Sequence, residues 1–566
     1  MNILFQYLIL FLQIYVVTVF ISGCGFLLKK YIFNYDDKYS FENNSLWGFI
    51  LISFIALGLN FIIPLNSFNN SLIIFFLSLI IFWKKYFHQP IKKFFKKSII
   101  VTLLAFILII HSNVNNPDAL LYHLPYSKII NEYKILIGSF NIHHRFGHIS
   151  IIQYLNSFFN LFFFNEKGLL LPLSILVSSF FIYLLKEFKL LFKSNVSRIN
   201  SLVIFCILIV SLYSFSRYSN YGNDAPVHIY YYLIIVYIFK YNFEFSNNLL
   251  LKQISLLSLF TFLIKPFYLI SLFIPLIFLI LNKNFKYFFK SIFFLFSCTF
   301  SFLWFLKNFL VSSCLIYPIK ISCFENLIWS NPTQVINQKL LGEVMSKSWQ
   351  DRLDTNISMT EYNQNFEWLS TWSNNHLNVV IEKFFPIIIF LALFSFILFC
   401  LKLFKIKKLI HKNNLGSFII FITSLFGSII WFLNFPIYRY GQSYLFITIL
   451  LLIYFFIFQN LDEFKIFKYK KFLNIVIILA FIGLGAKNFN RINEKFSDTI
   501  TPYMYDDIVH SNISKKFINN FNEFTHYYKE GGGLCGYSIS PCSENKDKNL
   551  RFKTKFGYRI YYINKS

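Results

Sequence analysis

Apolar runs long enough to cross a bilayer recur along almost the whole chain, broken by short lysine-bearing connections. A membrane helix needs about 20 apolar residues. Such runs, some of them shorter, occupy 3–28, 46–65, 72–83, 99–110, 169–185, 201–215, 227–239, 254–281, 292–306, 386–401, 416–433, 444–458 and 473–485. The first is too long for a signal peptide, lacks a basic start, and is followed by Lys29-Lys30 rather than a small-residue cleavage site, so it reads as a retained span. The run 254–281 holds Lys265-Pro266 at its middle. It is too long for one span and too short for two, which predicts a tight hairpin or a broken helix. Only 14% of the residues are charged, against roughly 25% in soluble domains. So few charges cannot cover a soluble surface of this size, and the solvent is largely lipid.

The formal net charge of +27 would suggest nucleic acid for a soluble protein. Here the cations sit in five short connections: Lys84, Lys85, Lys92, Lys93, Lys96 and Lys97; Lys186, Lys189, Lys193 and Arg198; Lys283, Lys286 and Lys290; Lys402, Lys405, Lys407, Lys408 and Lys412; Lys465, Lys468, Lys470 and Lys471. The positive-inside rule puts all five in the cytoplasm, and no nucleic-acid partner is expected. Parity then allows one crossing between loop 113–148 and the basic loop at 186–198. Segment 149–164, with Gln153, Asn156 and Asn160, is therefore assigned to the outer interface as an amphipathic helix. The expected fold is an all-α polytopic membrane protein of about 14 crossings, with both termini outside. Residues 1–98 form N-terminal spans, 99–486 a transmembrane core with outer loops 113–148, 216–226 and 307–385, and 487–566 a small outer domain.

The cysteines agree with this topology. Cys24, Cys206, Cys298 and Cys400 lie in apolar runs, where a buried thiol is the ordinary reading. Cys314, Cys323, Cys535 and Cys542 all fall in outer segments, as two close pairs. Bridges Cys314–Cys323 and Cys535–Cys542 are expected in an oxidising compartment. Zinc is the weaker reading, because no His accompanies either pair at ligand spacing.

The polar residues that stand out are also outside. Asp118 and Asp224 each follow the outer end of a span and precede the next helix. The bland reading of each is a solvated acid or one that satisfies a helix N-terminus. Together they could bind a divalent metal ion or share base duty. Lys265 and Arg439 lie near the outer leaflet, where snorkelling competes with a phosphate partner. Gly531–Gly533 reads as a turn, since no strand–loop–helix pattern surrounds it.

An outer loop with an Asp shortly before Tyr122-His123-Leu124-Pro125 resembles the first periplasmic loop of GT-C-type membrane glycosyltransferases, the protein O-mannosyltransferase-like and aminoarabinose-transferase-like enzymes and their bacterial relatives. Arg217 and Asp224 in Ser-Arg-Tyr-Ser-Asn-Tyr-Gly-Asn-Asp resemble the next outer loop of that family. Trp304-Phe305-Leu306-Lys307-Asn308 with Tyr317-Pro318, and Pro436-Ile437-Tyr438-Arg439-Tyr440-Gly441, resemble two later motifs. The likeness spans roughly residues 99–460.

The resemblance implies a multi-pass protein of a bacterial inner membrane with its site facing the periplasm. It implies a polyprenyl-phosphate-linked sugar as donor and a glycan, lipid or protein acceptor. Asp118 would take the acceptor proton. Asp224 would orient the acceptor or bind a divalent ion. Lys265 and Arg439 would hold the leaving phosphate. Tyr122, His123, His143, His144, Arg145 and Arg217 would contact sugar or phosphate; for each His the alternative is a polar interfacial anchor. The rival readings are an O-antigen-type polymerase or ligase, which suits loop 307–385, a lipid or polysaccharide transporter, and a membrane scaffold without a site.

Overall fold

The computed structural model describes residues 3–35, 40–84, 86, 91–110, 118–148, 150–193, 198–215, 221–282, 285–400, 415–461, 470–496, 515–519, 524–528, 534–543 and 549–564. Of the described residues, 78% are helical. Its helices are α1 (Ile3–Leu28), α2 (Phe41–Asn60), α3 (Ser67–Trp83), α4 (Ile91–Ile110), α5 (Leu124–Glu132), α6 (Ile151–Phe158), α7 (Leu171–Lys193), α8 (Arg198–Tyr213), α9 (Asp224–Lys240) and α10 (Asn248–Ile264). They continue with α11 (Phe273–Leu281), α12 (Phe285–Phe289), α13 (Ile292–Ser312), α14 (Pro332–Ser346), α15 (Met359–Gln364), α16 (Trp368–Trp372), α17 (Asn378–Cys400), α18 (Leu415–Asn434), α19 (Tyr438–Phe456) and α20 (Lys470–Phe496). Among the described residues, seven helical segments are long and apolar enough to cross a membrane, and four shorter apolar helices accompany them.

The sequence explains the local breaks. Asn66 and Asn247 start α3 and α10, each side chain accepting a backbone N–H of the first turn. Pro266 has no N–H to donate and forces the residue before it out of helical geometry. Lys265 accordingly sits at φ −148°, ψ 108°, where α10 stops and a 3-10 turn, Pro266–Leu272, leads into α11. The expected broken helix is thus observed. At the α1–α2 crossing, backbone approaches backbone: a Cβ on Gly25 would lie 1.7 Å from Asn44 O, and one on Gly48 would lie 1.9 Å from Ile21 O. Helices without a hydrophobic drive between them pack closely through such small residues.

One large apolar core runs from α1 through α19. A separate cluster of Val344, Trp349, Tyr362, Trp368, Trp372 and Trp431 stabilises the segment between α13 and α19. Both expected disulfides are formed, with Cα–Cα distances of 3.8 Å (Cys314–Cys323) and 6.0 Å (Cys535–Cys542). Cys24 and Cys206 are buried free thiols, whereas Cys298 is exposed on α13 and departs from the expectation of a buried thiol. The side chain of Cys400 lies outside the described residues.

The C-terminal segment adds β1 (Lys515–Asn519), β2 (Phe524–Tyr528) and β3 (Cys542–Ser543) in one sheet, and the antiparallel hairpin β4 (Leu550–Lys555) and β5 (Tyr558–Ile563). This segment docks on loop 118–148: Ile560 bridges Ile137, and Gly536 N–H donates to Leu120 O at 2.8 Å. Tyr537, Leu550 and Tyr561 belong to the main core. Helix α20 runs unbroken through residue 486.

Helix α6 differs from its expectation as a surface-lying amphipathic helix. All eight of its residues are buried, beneath α2 and α5. Its polar positions turn inward: Asn131 and Asn70 donate to Ser157 O, and Gln153 meets His123.

Candidate functional site

Two carboxylates and three cations from distant parts of the chain meet at the end of the bundle that carries the disulfides. Asp118 opens the wide π-type turn Ala119–His123 that leads into α5. Asp224 is the first residue of α9, Lys265 the last before Pro266, and Arg439 lies in the first turn of α19. Arg145 comes from the 3-10 turn His144–His148.

The distances make one ionic network. Arg439 Nη1 donates to Asp118 Oδ2 at 2.8 Å, and its Nε lies 3.7 Å from Asp224 Oδ2. Lys265 Nζ donates to Asp224 Oδ1 at 2.7 Å. Arg145 Nη1 lies 3.5 Å from Asp118 Oδ1, and its guanidinium sits 5.2 Å from the Tyr122 ring. Tyr440 completes the group, with Lys265 Nζ 3.4 Å from its ring centroid. The network carries one positive charge more than it can neutralise internally. Asp118 and Arg439 are 33% and 49% exposed, so an incoming anion can reach them.

A second layer holds the cations in place. One imidazole nitrogen of His228, Nε2, donates to Arg439 O at 2.9 Å, which leaves Nδ1 to accept from Tyr268 Oη (3.1 Å) or Ser443 Oγ (3.0 Å). When Tyr268 Oη instead donates its one proton to Tyr440 O at 3.2 Å, Ser443 Oγ is the donor to the ring. The backbone carbonyls of Arg439 and Tyr440 are therefore tied to α9 and to the turn after Lys265. His123 is buried, and its Nδ1 meets the side-chain amide of Gln153, which also donates to Asn223 Oδ1 at 3.2 Å. Burial pushes the His123 pKa down to about 4, with Asp118 and Asp224 opposing more weakly, so the ring is neutral at pH 7. Burial and then Asp118 hold the Tyr122 hydroxyl above its usual range, and it stays protonated.

The structure brings Asp118, Asp224, Tyr122, His123, Arg145, Lys265 and Arg439 together. His143 and His144 stack on one another, and His143 Nδ1 accepts the Arg145 backbone N–H at 3.2 Å. They support the turn that presents Arg145. Arg217 lies outside the described residues, as does the stretch 113–117. The cysteine pairs are structural. Asp224 does not fit a metal role: Lys265 and Arg439 already face its two oxygens, and a divalent cation there would meet two fixed positive charges. Among the described residues no group of three or more His, Cys, Asp and Glu is placed to hold a metal. Sequence reasoning missed Tyr440, Tyr268, His228, Ser443 and Gln153 as supporting residues. Tyr440 and Tyr268 stood within three positions of the cations that were singled out, and that proximity was the available signal.

These features define a polytopic helical membrane protein with a charged site at one end of its bundle. The chain belongs to the family described as "Domain of unknown function (DUF8201)", whose model matches residues 7–446. All five members of the ionic network lie inside that match, and the disulfide-bearing C-terminal segment lies beyond it. No curated protein and no solved structure matches the chain.

Proposed function

We propose that this protein is an integral membrane glycosyltransferase. It moves a sugar from a polyprenyl-phosphate-linked donor to an acceptor hydroxyl on the outer face of a bacterial inner membrane. In this reading the chain makes about 14 crossings, with the disulfides and the ionic network on the periplasmic side. The observation that carries the proposal is the convergence of Asp118 and Asp224 with Arg145, Lys265 and Arg439.

The roles follow from charge and geometry. The donor phosphate competes with the carboxylates for Arg439, Arg145 and Lys265, whose excess charge favours it. That exchange releases Asp118 from its arginines. The freed carboxylate accepts the acceptor's proton as the acceptor oxygen attacks the anomeric carbon. The bond from that carbon to the phosphate oxygen breaks, and the departing polyprenyl phosphate keeps the electron pair. Arg439 and Lys265 neutralise the charge that develops on it. Asp224 keeps Lys265 and Arg439 oriented between turnovers.

The test is transfer by the full-length protein in proteoliposomes, supplied with radiolabelled polyprenyl-phosphate hexoses and pentoses and a membrane glycan extract as acceptor. Label should leave the lipid carrier only where wild-type protein is present. If no donor in the set is consumed, the transferase reading is wrong.

A further inference from the structure

A second site lies in the long segment between α13 and α19, and none of the ionic network's residues lines it. A cavity of about 510 Å³ is lined by Met345, Ser348, Gln350, Asp351, Asn374, Asn375 and His376. Its two walls are both irregular backbone. On one side Ser348 adopts φ +68°, ψ 37°, a left-handed conformation uncommon for a residue with a Cβ. On the other, Ser373–Leu377 is a π-turn that carries Asn374, Asn375 and His376 of the lining. Backbone departures of both kinds gather at functional sites, where surrounding packing holds them in place.

That packing is present. Trp349 meets Tyr362 edge-on at 5.1 Å, and the Arg352 guanidinium lies 4.0 Å from the Trp349 ring. Trp372, immediately before the π-turn, donates its indole N–H to Pro436 O at 2.8 Å. The cavity walls are thus fixed to the segment that carries Arg439.

The lining selects a chemistry. Gln350, Asn374 and Asn375 each carry an amide that donates and accepts, and Ser348 a hydroxyl that does both. Asp351 is the only carboxylate, with Asn375 Nδ2 donating to its Oδ2 at 2.7 Å. Neither Lys nor Arg lines the cavity. An anion would face Asp351 with no cation to offset it. A hydrocarbon would leave the amides without partners. A neutral polyhydroxylated ligand satisfies them, since each sugar hydroxyl is both donor and acceptor, and the partly exposed Met345 offers apolar contact to a ring face.

We propose that this cavity binds a neutral saccharide; its assignment to the acceptor glycan rests on the transferase reading above. Full-length protein in nanodiscs is tested by saturation-transfer NMR with the methyl glycosides of glucose, mannose, galactose and N-acetylglucosamine. Glucose 6-phosphate, glucosamine and Ca²⁺ serve as charged competitors. At least one neutral glycoside should give a signal that none of the competitors displaces. Asp351→Asn, which removes a charge-assisted hydrogen bond, should weaken that binding by roughly tenfold or more, and Asn375→Ala, which removes a neutral one, by roughly fivefold; both positions are exposed. Three results overturn the proposal: no glycoside binds, a charged probe displaces the glycoside, or both variants bind as wild type does. Binding is read without turnover, so it separates the two readings. Asp118→Asn should still bind saccharide. A wild-type protein that binds but transfers nothing sinks the transferase and leaves the saccharide site standing.

Discussion

Arg439 bridges the two acids of the site: its Nη1 is 2.8 Å from Asp118 Oδ2 and its Nε 3.7 Å from Asp224 Oδ2. The acids come from the start of loop 118–148 and from the start of α9, so this one guanidinium joins that loop to the core. A planar guanidinium presents its donors in a fixed fork, so it can face two carboxylates along separate N–H directions. A phosphate that claims the arginine therefore changes the environment of both acids together. In the proposed transferase, donor binding and release of the base would thus be coupled through one side chain.

Asp118→Asn keeps the shape of the side chain and removes the proton acceptor. General-base loss costs roughly 10²–10⁴-fold in rate. The variant should insert and unfold as wild type does, since Asp118 is one-third exposed. Transfer measured at matched protein levels should fall by that factor. Activity within a few-fold of wild type would remove Asp118 from the chemistry.

Arg439→Lys preserves charge but not the fork. A single ammonium cannot hold the geometry that now spans Asp118 and Asp224. The KM for the lipid-linked donor should rise by roughly tenfold or more, with a smaller effect on kcat. Initial rates across donor concentration decide it; an unchanged KM would mean that the phosphate is held elsewhere.

Much of this was legible in the residues. Period and length of the apolar runs gave nearly every long helix, because lipid leaves a spanning backbone little choice but helix. Lys265-Pro266 announced its own break, since the proline's geometry is local. Asp118, Asp224 and Arg439 were visible as charges at helix ends. What could not be read was which charge faces which. Asp118 and Arg439 are 321 positions apart, and nothing local links them. The same holds for α6: its amphipathic pattern is real, but a buried polar neighbour, His123, rather than water receives Gln153. Periodicity finds a polar face without saying what covers it.

His123 makes the fold acid-sensitive. Its folded pKa, about 4, lies below the ordinary histidine value near 6.5, because burial disfavours the charged ring. Below pH 6.5 the unfolded chain binds a proton that the folded chain refuses. Stability from this group is intact above pH 6.5 and falls as pH drops toward 4. The melting temperature of the purified protein should decline across that window, and His123→Gln should flatten part of the decline. Parallel curves for the two proteins would show that burial of this ring does not govern the acid response.

The Cys535–Cys542 loop is expected to brace the site from outside. Gly536 N–H donates to Leu120 O at 2.8 Å, Tyr537 Oη to Asn131 Oδ1 at 2.8 Å, and Tyr133 Oη to Ser540 O at 3.1 Å. Three hydrogen bonds thus join the short cross-linked loop to the segment that follows Asp118. Closing such a loop removes unfolded-state entropy worth roughly 2–3 kcal/mol on the chain-entropy account. Replacing both cysteines by serine should loosen the loop without unfolding the bundle. Amide hydrogen exchange should then speed up in residues 119–133, and transfer should fall. The matching Cys314→Ser, Cys323→Ser protein is the control, because that bridge closes a different loop, with Leu315 and Phe324 as its local backbone partners. If exchange at 119–133 is the same in the Cys535→Ser, Cys542→Ser protein as in wild type, the cross-linked loop does not hold the turn that begins at Asp118.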